Sequence, residues 1–288
     1  MGFQKLPAGN AGERPWWLYA FLALAAAAAI AIAANRLYAE VFAIVAKGIG
    51  VTVFVTLVAF ALATAFGMML ALLGLSRHVA LRQIARFYVE IIRGIPIIVL
   101  LFYVAFVGAP ALVGLANTVF SPLIDAGMMD AFVVRDFSLM WRAIIALTIG
   151  YAAFIAEIFR AGIQAVDEGQ IEAAQALGLR RFQRFRLIVF PQAIRTIFPP
   201  LSNDFVSMVK DSSLVSVLGV ADITQMGKVY AASSFRFFET YSIVAYVYLL
   251  LTIGLSLILR GIEQRMRKKN GFSRYGAERA KAGGPGQF

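Results

Sequence analysis

A chain of 288 residues that is 60% hydrophobic and 15% charged, with a mean hydropathy of +0.77, lies far from the roughly 25% charged average of soluble domains and reads as an integral membrane protein. The net charge of +11 does not call for nucleic acid: of 27 Lys and Arg, 18 fall in the segments 1–15, 76–87, 160–190 and 260–288, against 6 in the loops between, the asymmetry expected of cytoplasmic and opposite faces. Cysteine is absent and His78 is the single histidine, which excludes disulfides, thiolate metal sites and His-cluster chemistry.

Residues 1–15 are polar and read as a cytoplasmic tail. Trp16 to Ala34 then supplies an apolar run long enough to cross a hydrocarbon core of about 30 Å, with Trp16, Trp17 and Tyr19 at one interface. Lys5 and Arg14 before the run also fit a cleaved signal, but its apolar stretch exceeds the usual roughly 7 to 15 residues, which favours a retained span. Phe42 to Leu75 carries Gly48, Gly50, Thr52, Thr56, Thr64 and Gly67, small residues that let helices approach closely in lipid, and runs inward to Arg77, Arg82 and Arg86. The next span climbs from Phe87 to Gly108. Gly94 and Pro96 interrupt it beside Glu90 and Arg93, so a freed carbonyl must find a partner at depth and the break reads as a cavity wall. Ala109 to Arg142, broken by Pro110, Gly114, Pro122 and Gly127 and acidic at Asp125, Asp130 and Asp136, reads as an external segment with short helical pieces. Leu139 to Phe159 returns to the cytoplasm.

There stands the stretch Gly169-Gln-Ile-Glu-Ala-Ala-Gln-Ala-Leu-Gly178. Its residue types predict a short helix over Ile171 to Leu177, stopped by Gly178 in a left-handed turn, and Arg180, Arg181, Arg184 and Arg186 place it on the cytoplasmic side. Ala173, Ala174 and Ala176 leave part of its surface nearly bare, and Glu172 adds one fixed charge. On residues alone, docking to another protein and lying in the lipid headgroups both fit.

From Pro191 the chain re-enters the membrane through Pro199, Pro200, Asn203, Asp204, Lys210, Asp211, Ser212 and Ser213, too polar for a simple lipid-facing helix. Leu214 to Val220 completes that crossing, and Ala221 to Thr240 is an external connection. Tyr241 to Leu259 is the last span, anchored by Arg260, Arg265, Arg267, Lys268 and Lys269, and a disordered basic tail follows. Six spans with both termini in the cytoplasm result.

Five separate blocks carry a resemblance: Tyr88-Val-Glu-Ile-Ile-Arg-Gly-Ile-Pro96, Ala156-Glu-Ile-Phe-Arg-Ala-Gly-Ile163, Gly169-Gln-Ile-Glu-Ala-Ala174, Pro191-Gln-Ala193 and Lys210-Asp-Ser-Ser-Leu214. In that order, over roughly Lys47 to Arg260, they are similar to the polar amino acid permeases of binding-protein-dependent ABC importers. The family more often has Thr where Ile95 and Ser212 stand and Leu where Phe190 stands. The resemblance implies an all-α, type I importer core of five membrane helices, here 42–262 with a cytoplasmic coupling segment at 162–190. Residues 16–41 then form an added helix and external link, and 263–288 the basic tail. It further implies a bacterial inner-membrane location, a second permease that is a copy or a relative, an extracytoplasmic solute-binding protein, and two ATP-binding cassette subunits. Each of those would receive one short cytoplasmic helix. By match, Glu172, Ala173, Ala174 and Gly178 carry that contact here.

No Gly-x-x-x-x-Gly-Lys-Ser/Thr loop occurs, so if ATP drives transport its hydrolysis belongs to a separate subunit, and the chain itself is read as no enzyme, with no cofactor. The remaining chemistry is charge inside spans. A zwitterionic amino acid needs both signs: Arg93 and Lys210 suit its carboxylate, while Glu157 and Asp211, with the Ser212 hydroxyl, suit its ammonium. The bland alternative is three structural pairs, Glu90 with Arg93, Glu157 with Arg160, and Lys210 with Asp211. An ion-coupled secondary amino acid transporter is the rival reading, and it needs no exposed Ala-rich docking helix. An intramembrane enzyme would need a nucleophile–base pair or a metal site, and none is present.

Overall fold

The structure, a computed structural model, describes residues 16–268; expectations for the tail at 1–15 and for the basic side chains from Arg267 onward lie outside the described residues. Within them every regular element is helical. In chain order these are α1 (Trp16–Ala34), α2 (Arg36–Ala46), α3 (Ile49–Gly74), α4 (Val79–Arg93), α5 (Ile97–Tyr103), α6 (Ala109–Val119), α7 (Ser121–Asp125), α8 (Leu139–Gln164), α9 (Glu168–Ala176), α10 (Arg181–Arg184), α11 (Phe190–Asp211), α12 (Ile223–Ser234) and α13 (Phe237–Lys268). Five stretches are long and apolar enough to cross a membrane: Trp16–Ala34, Arg36–Gly74, Ile97–Val119, Leu139–Gln164 and Phe237–Met266. The sixth expected crossing, α11, is long enough with 22 residues, about 33 Å at 1.5 Å each, but carries Arg195, Asp204, Lys210 and Asp211 and is not among the apolar five.

The core is built on α3 and α8. Gly67 of α3 sits where an added Cβ would lie 2.9 Å from the Ile155 side chain, and Gly162 of α8 where it would lie 2.2 Å from Ile197 of α11, so both helix pairs close over bare backbone. Leu101, Ile144, Leu147, Ile155, Ile197 and Met208, from α5, α8 and α11, are the largest side chains wholly removed from the surface of this centre.

Three expectations are corrected. Pro110 does not end the helix before it: Val104–Gly108 widens into a π-turn, and the helix continues through α6 to Val119 instead of giving way to separate external pieces. The carbonyl of Ala105 inside that turn accepts from buried Arg142, at 3.1 Å, which also donates to the Phe137 carbonyl at 2.7 Å and to that of Val134. The run expected from Phe42 begins earlier, at Arg36, and carries a turn at Lys47–Gly48, where Gly48 lies against the α12 entry so closely that a Cβ would meet Asp222 backbone at 2.4 Å. Finally, α13 remains helical through 263–268, which the sequence assigned to the tail.

α1 buries no residue and is held to α13 at two points: the Tyr246 hydroxyl donates to the Ala25 carbonyl at 3.2 Å, and the Arg260 guanidinium lies 5.8 Å from the centre of the Trp17 ring.

Candidate functional site

α9 is defined at both ends by local chemistry. The Asp167 side chain accepts from Gln170 N at 3.2 Å and opens the helix, with Glu168 in the first turn favouring its positive end. It closes at Gly178, φ +76°, where Gly178 N donates to the Gln175 carbonyl at 2.9 Å and Leu179 N to that of Ala174 at 3.1 Å, the paired bonds of a glycine-terminated helix end. The expected helix is therefore present, beginning three residues before Ile171. Val166, buried at the end of the α8 turn, and a Gln192–Gln170 side-chain bond of 2.6 Å fix α9 between the inner ends of α8 and α11. Arg184 adds a 2.8 Å bond to Gln175 from the far side.

Of the four expected contact residues, Glu172, Ala173 and Gly178 are exposed, whereas Ala174 turns inward and is 3% exposed. The bare surface a partner would meet is thus made by Ala173 and Ala176. Leu177, 81% exposed, and Phe182, 71% exposed, stand beside it as large apolar side chains that no other described residue covers. Sequence reading passed over both, although a leucine directly before a helix-stopping glycine is a visible signal for an apolar tip.

The in-span charges do not form one cluster. At the outer end of α11, the Tyr151 hydroxyl of α8 donates to Asp211 at 2.7 Å. Asp204, seven residues and two turns earlier on the same face of α11, is also within electrostatic reach of Tyr151, and its Oδ2 has no hydrogen-bond partner among the described residues. Lys210 points elsewhere: it is exposed, pairs with neither Asp211 nor any other described residue, and shares its helix face with Thr196, Asn203 and Ser207. This polar ridge on an otherwise apolar protein is a surface unsuited to lipid. Ser212 is wholly buried and donates to the Val209 carbonyl at 2.7 Å.

Six residues past Tyr151 on α8, about 9 Å along the axis, Glu157 is engaged by Arg160 through two bonds of 3.1 and 2.5 Å. Arg93 lies between the two levels, its guanidinium 5.6 Å from the centre of the Phe154 ring. Of the three neighbouring pairs that the sequence allows, the structure forms Glu157 with Arg160 and neither Glu90 with Arg93 nor Lys210 with Asp211. Tyr151 was not singled out from sequence, and Asp204 was named only among the polar residues of the re-entering stretch, since their meeting depends on how α8 and α11 pack.

With this geometry in hand, comparison with known proteins is informative. The profile of the family described as "Binding-protein-dependent transport system inner membrane component" matches residues 63–268. The probable amino-acid permease protein YxeN of Bacillus subtilis (strain 168) is 35% identical over 222 residues, which cover 77% of this chain and 91% of YxeN. The glutamine transport system permease protein GlnP of Escherichia coli (strain K12) is 36% identical over 193 residues, 67% of this chain and 77% of GlnP. Among solved structures, a chain of an amino acid ABC transporter crystallised with histidines superposes with a TM-score of 0.64 at 34% identity, covering 79% of this chain and 95% of that one.

Proposed function

The chain belongs to the family of binding-protein-dependent transport system inner membrane components, and from that premise we propose that it moves polar amino acids inward while a separate ATPase drives it through α9. It is the permease subunit of a binding-protein-dependent ABC amino acid importer. The observation that carries the finer reading is α9 itself: a capped helix, exposed at Glu172 and Ala173 with exposed Leu177 at its C-cap, whose first turn is joined to α8 through the Val166 turn and to α11 through Gln192–Gln170. Such a helix transmits a push on its surface to both spans together, as a rigid-body movement rather than a local deformation. Partners follow from the same reading: an ATP-binding cassette subunit over α9, a second permease completing the pathway, and an extracytoplasmic solute-binding protein delivering substrate.

The polar ridge of α11 and the Tyr151–Asp211 contact supply the pathway's chemistry. Lys210 and Arg93 are free to receive a carboxylate, and Asp211, held by Tyr151, receives an ammonium. Glu157 and Ser212 have their polar atoms engaged inside the protomer and act as support. The test is Ala173→Trp, which places a bulky side chain on the bare face of α9. Membrane insertion should be unchanged while uptake and co-purification of the ATPase are lost; normal uptake with normal co-purification would overturn the docking role.

A further inference from the structure

The inner ends of α3, α4 and α8 line a cavity of about 250 Å³ that is partly open to the surface. It lies at the cytoplasmic end, where α4 begins after the basic turn at Arg77 and α8 runs into α9. Ala71 and Gly74 leave its α3 wall nearly bare, and Arg82, Arg86 and Glu90, spaced four residues apart, line it from one face of α4.

Most of the polar groups around this space satisfy one another. Arg160 donates to both oxygens of Glu157, at 3.1 and 2.5 Å, and to Gln164 at 2.8 Å. Arg82 reaches the Ser76 carbonyl at 3.4 Å. Arg86 and Glu90 are the exception. They stand one turn apart with opposite charges, yet neither makes a hydrogen bond or ion pair with the other or with any other described residue. Both are exposed, and Arg86 also acts electrostatically on Glu157; two charges of opposite sign with no hydrogen-bonded partner, a helical turn apart on the wall of a small cavity, match the head of an amino acid.

We propose that this cavity is a cytoplasmic-side binding site for a free amino acid, its carboxylate at Arg86 and its ammonium at Glu90, and that occupancy slows further import. The inference rests on the importer reading above. A phosphate or phospholipid headgroup fits less well, because Glu90 faces any anion held by Arg86, whereas a zwitterion uses both. Since the walls belong to three helices, a molecule held there favours the arrangement in which they stand apart. A ligand that binds one arrangement better shifts the population toward it, and import waits on its release.

The experiment uses the complete transporter, this chain with its ATPase and binding protein, in liposomes with ATP inside and labelled amino acid outside. L-Glutamine, L-glutamate, L-arginine and L-histidine are tried in turn, and the one transported is then loaded unlabelled into the lumen. Wild-type uptake should fall as the lumenal concentration rises. In Arg86→Gln and Glu90→Gln the concentration that halves uptake should rise by about tenfold, the factor expected when one charged hydrogen bond is lost. Uptake into vesicles with an empty lumen should stay unchanged. Gly74→Leu fills the cavity without removing a charge and should act alike; the nearest atom to its added Cβ is Ala85 Cβ, at 4.0 Å. No inhibition in the wild type, or equal inhibition in all forms, overturns the site. Inhibition by lumenal inorganic phosphate, relieved by Arg86→Gln and not produced by the amino acid, overturns it in favour of an anion site. If no amino acid is taken up at all, the importer reading fails, and this inference falls with it.

Discussion

α1 and α8 are both long and apolar enough to cross a membrane, yet no part of α1's apolar window is buried within the protein while 61% of α8's is. Apolarity therefore selected the compartment for both and decided the packing of neither. In lipid a leucine gains little by leaving acyl chains for protein, so helices associate where small residues let backbones meet and where polar groups find partners. α8 has these devices along its whole length: Gly162 under Ile197, Arg142 in three carbonyls, Tyr151 on Asp211. α1 has one tyrosine bond and one ring contact.

The sharpest way to break this comparison is to place the same bulk on each helix. Gly162→Leu drives a side chain into Ile197, where even a Cβ would come within 2.2 Å, and should cost roughly 3 kcal/mol or more, seen as loss of folded protein in detergent. Ala27→Leu on α1 should leave yield and melting temperature unchanged, and an equal loss from both would contradict the distinction. A smaller effect is expected at the polar contacts of α8. Tyr151→Phe removes the hydrogen that holds Asp211 and should lower uptake about tenfold with the complex still assembled, since one charged hydrogen bond is lost. Lys210→Met is expected to lower uptake by a similar factor at normal protein level, and equally for every amino acid supplied, because each presents the same carboxylate. Loss of protein in that variant would instead mark Lys210 as structural. Smallest of all, Trp17→Ala should cost about 0.5–1 kcal/mol, detectable as weakened retention of α1 against Arg260 and not as lost transport.

The same contrast separates what could be read from the sequence from what could not. α9 and its stop at Gly178 were legible because caps and left-handed glycines are decided within a few residues. The break at Gly94–Pro96 was legible for the same reason, and α5 starts directly after it. Pro110 misled because the rule that proline ends a helix assumes regular α geometry, and the π-turn at Val104–Gly108 precedes it. Burial of Ala174 beside exposed Ala173 follows from how α9 sits on the neighbouring turns, which three similar alanines do not reveal. The in-span charges were all visible in the sequence, but their grouping was not: whether Asp211 meets Lys210 or Tyr151 depends on the rotation of α11 against α8.

Sidedness follows from charge in this cysteine-free chain, so a cysteine at Gln183 should resist an impermeant thiol reagent in intact cells while one at Ala126 reacts. The most direct measurement concerns the tip of α9. Leu177→Cys gives the chain a single thiol on its most exposed apolar side chain beside Gly178. With single cysteines distributed over the ATPase surface, oxidation should yield one cross-linked permease–ATPase product, and its formation should stop ATP-driven uptake until the disulfide is reduced. Cross-linking to lipid-exposed or extracytoplasmic positions instead, or full uptake in the cross-linked complex, would contradict a transporter worked through α9.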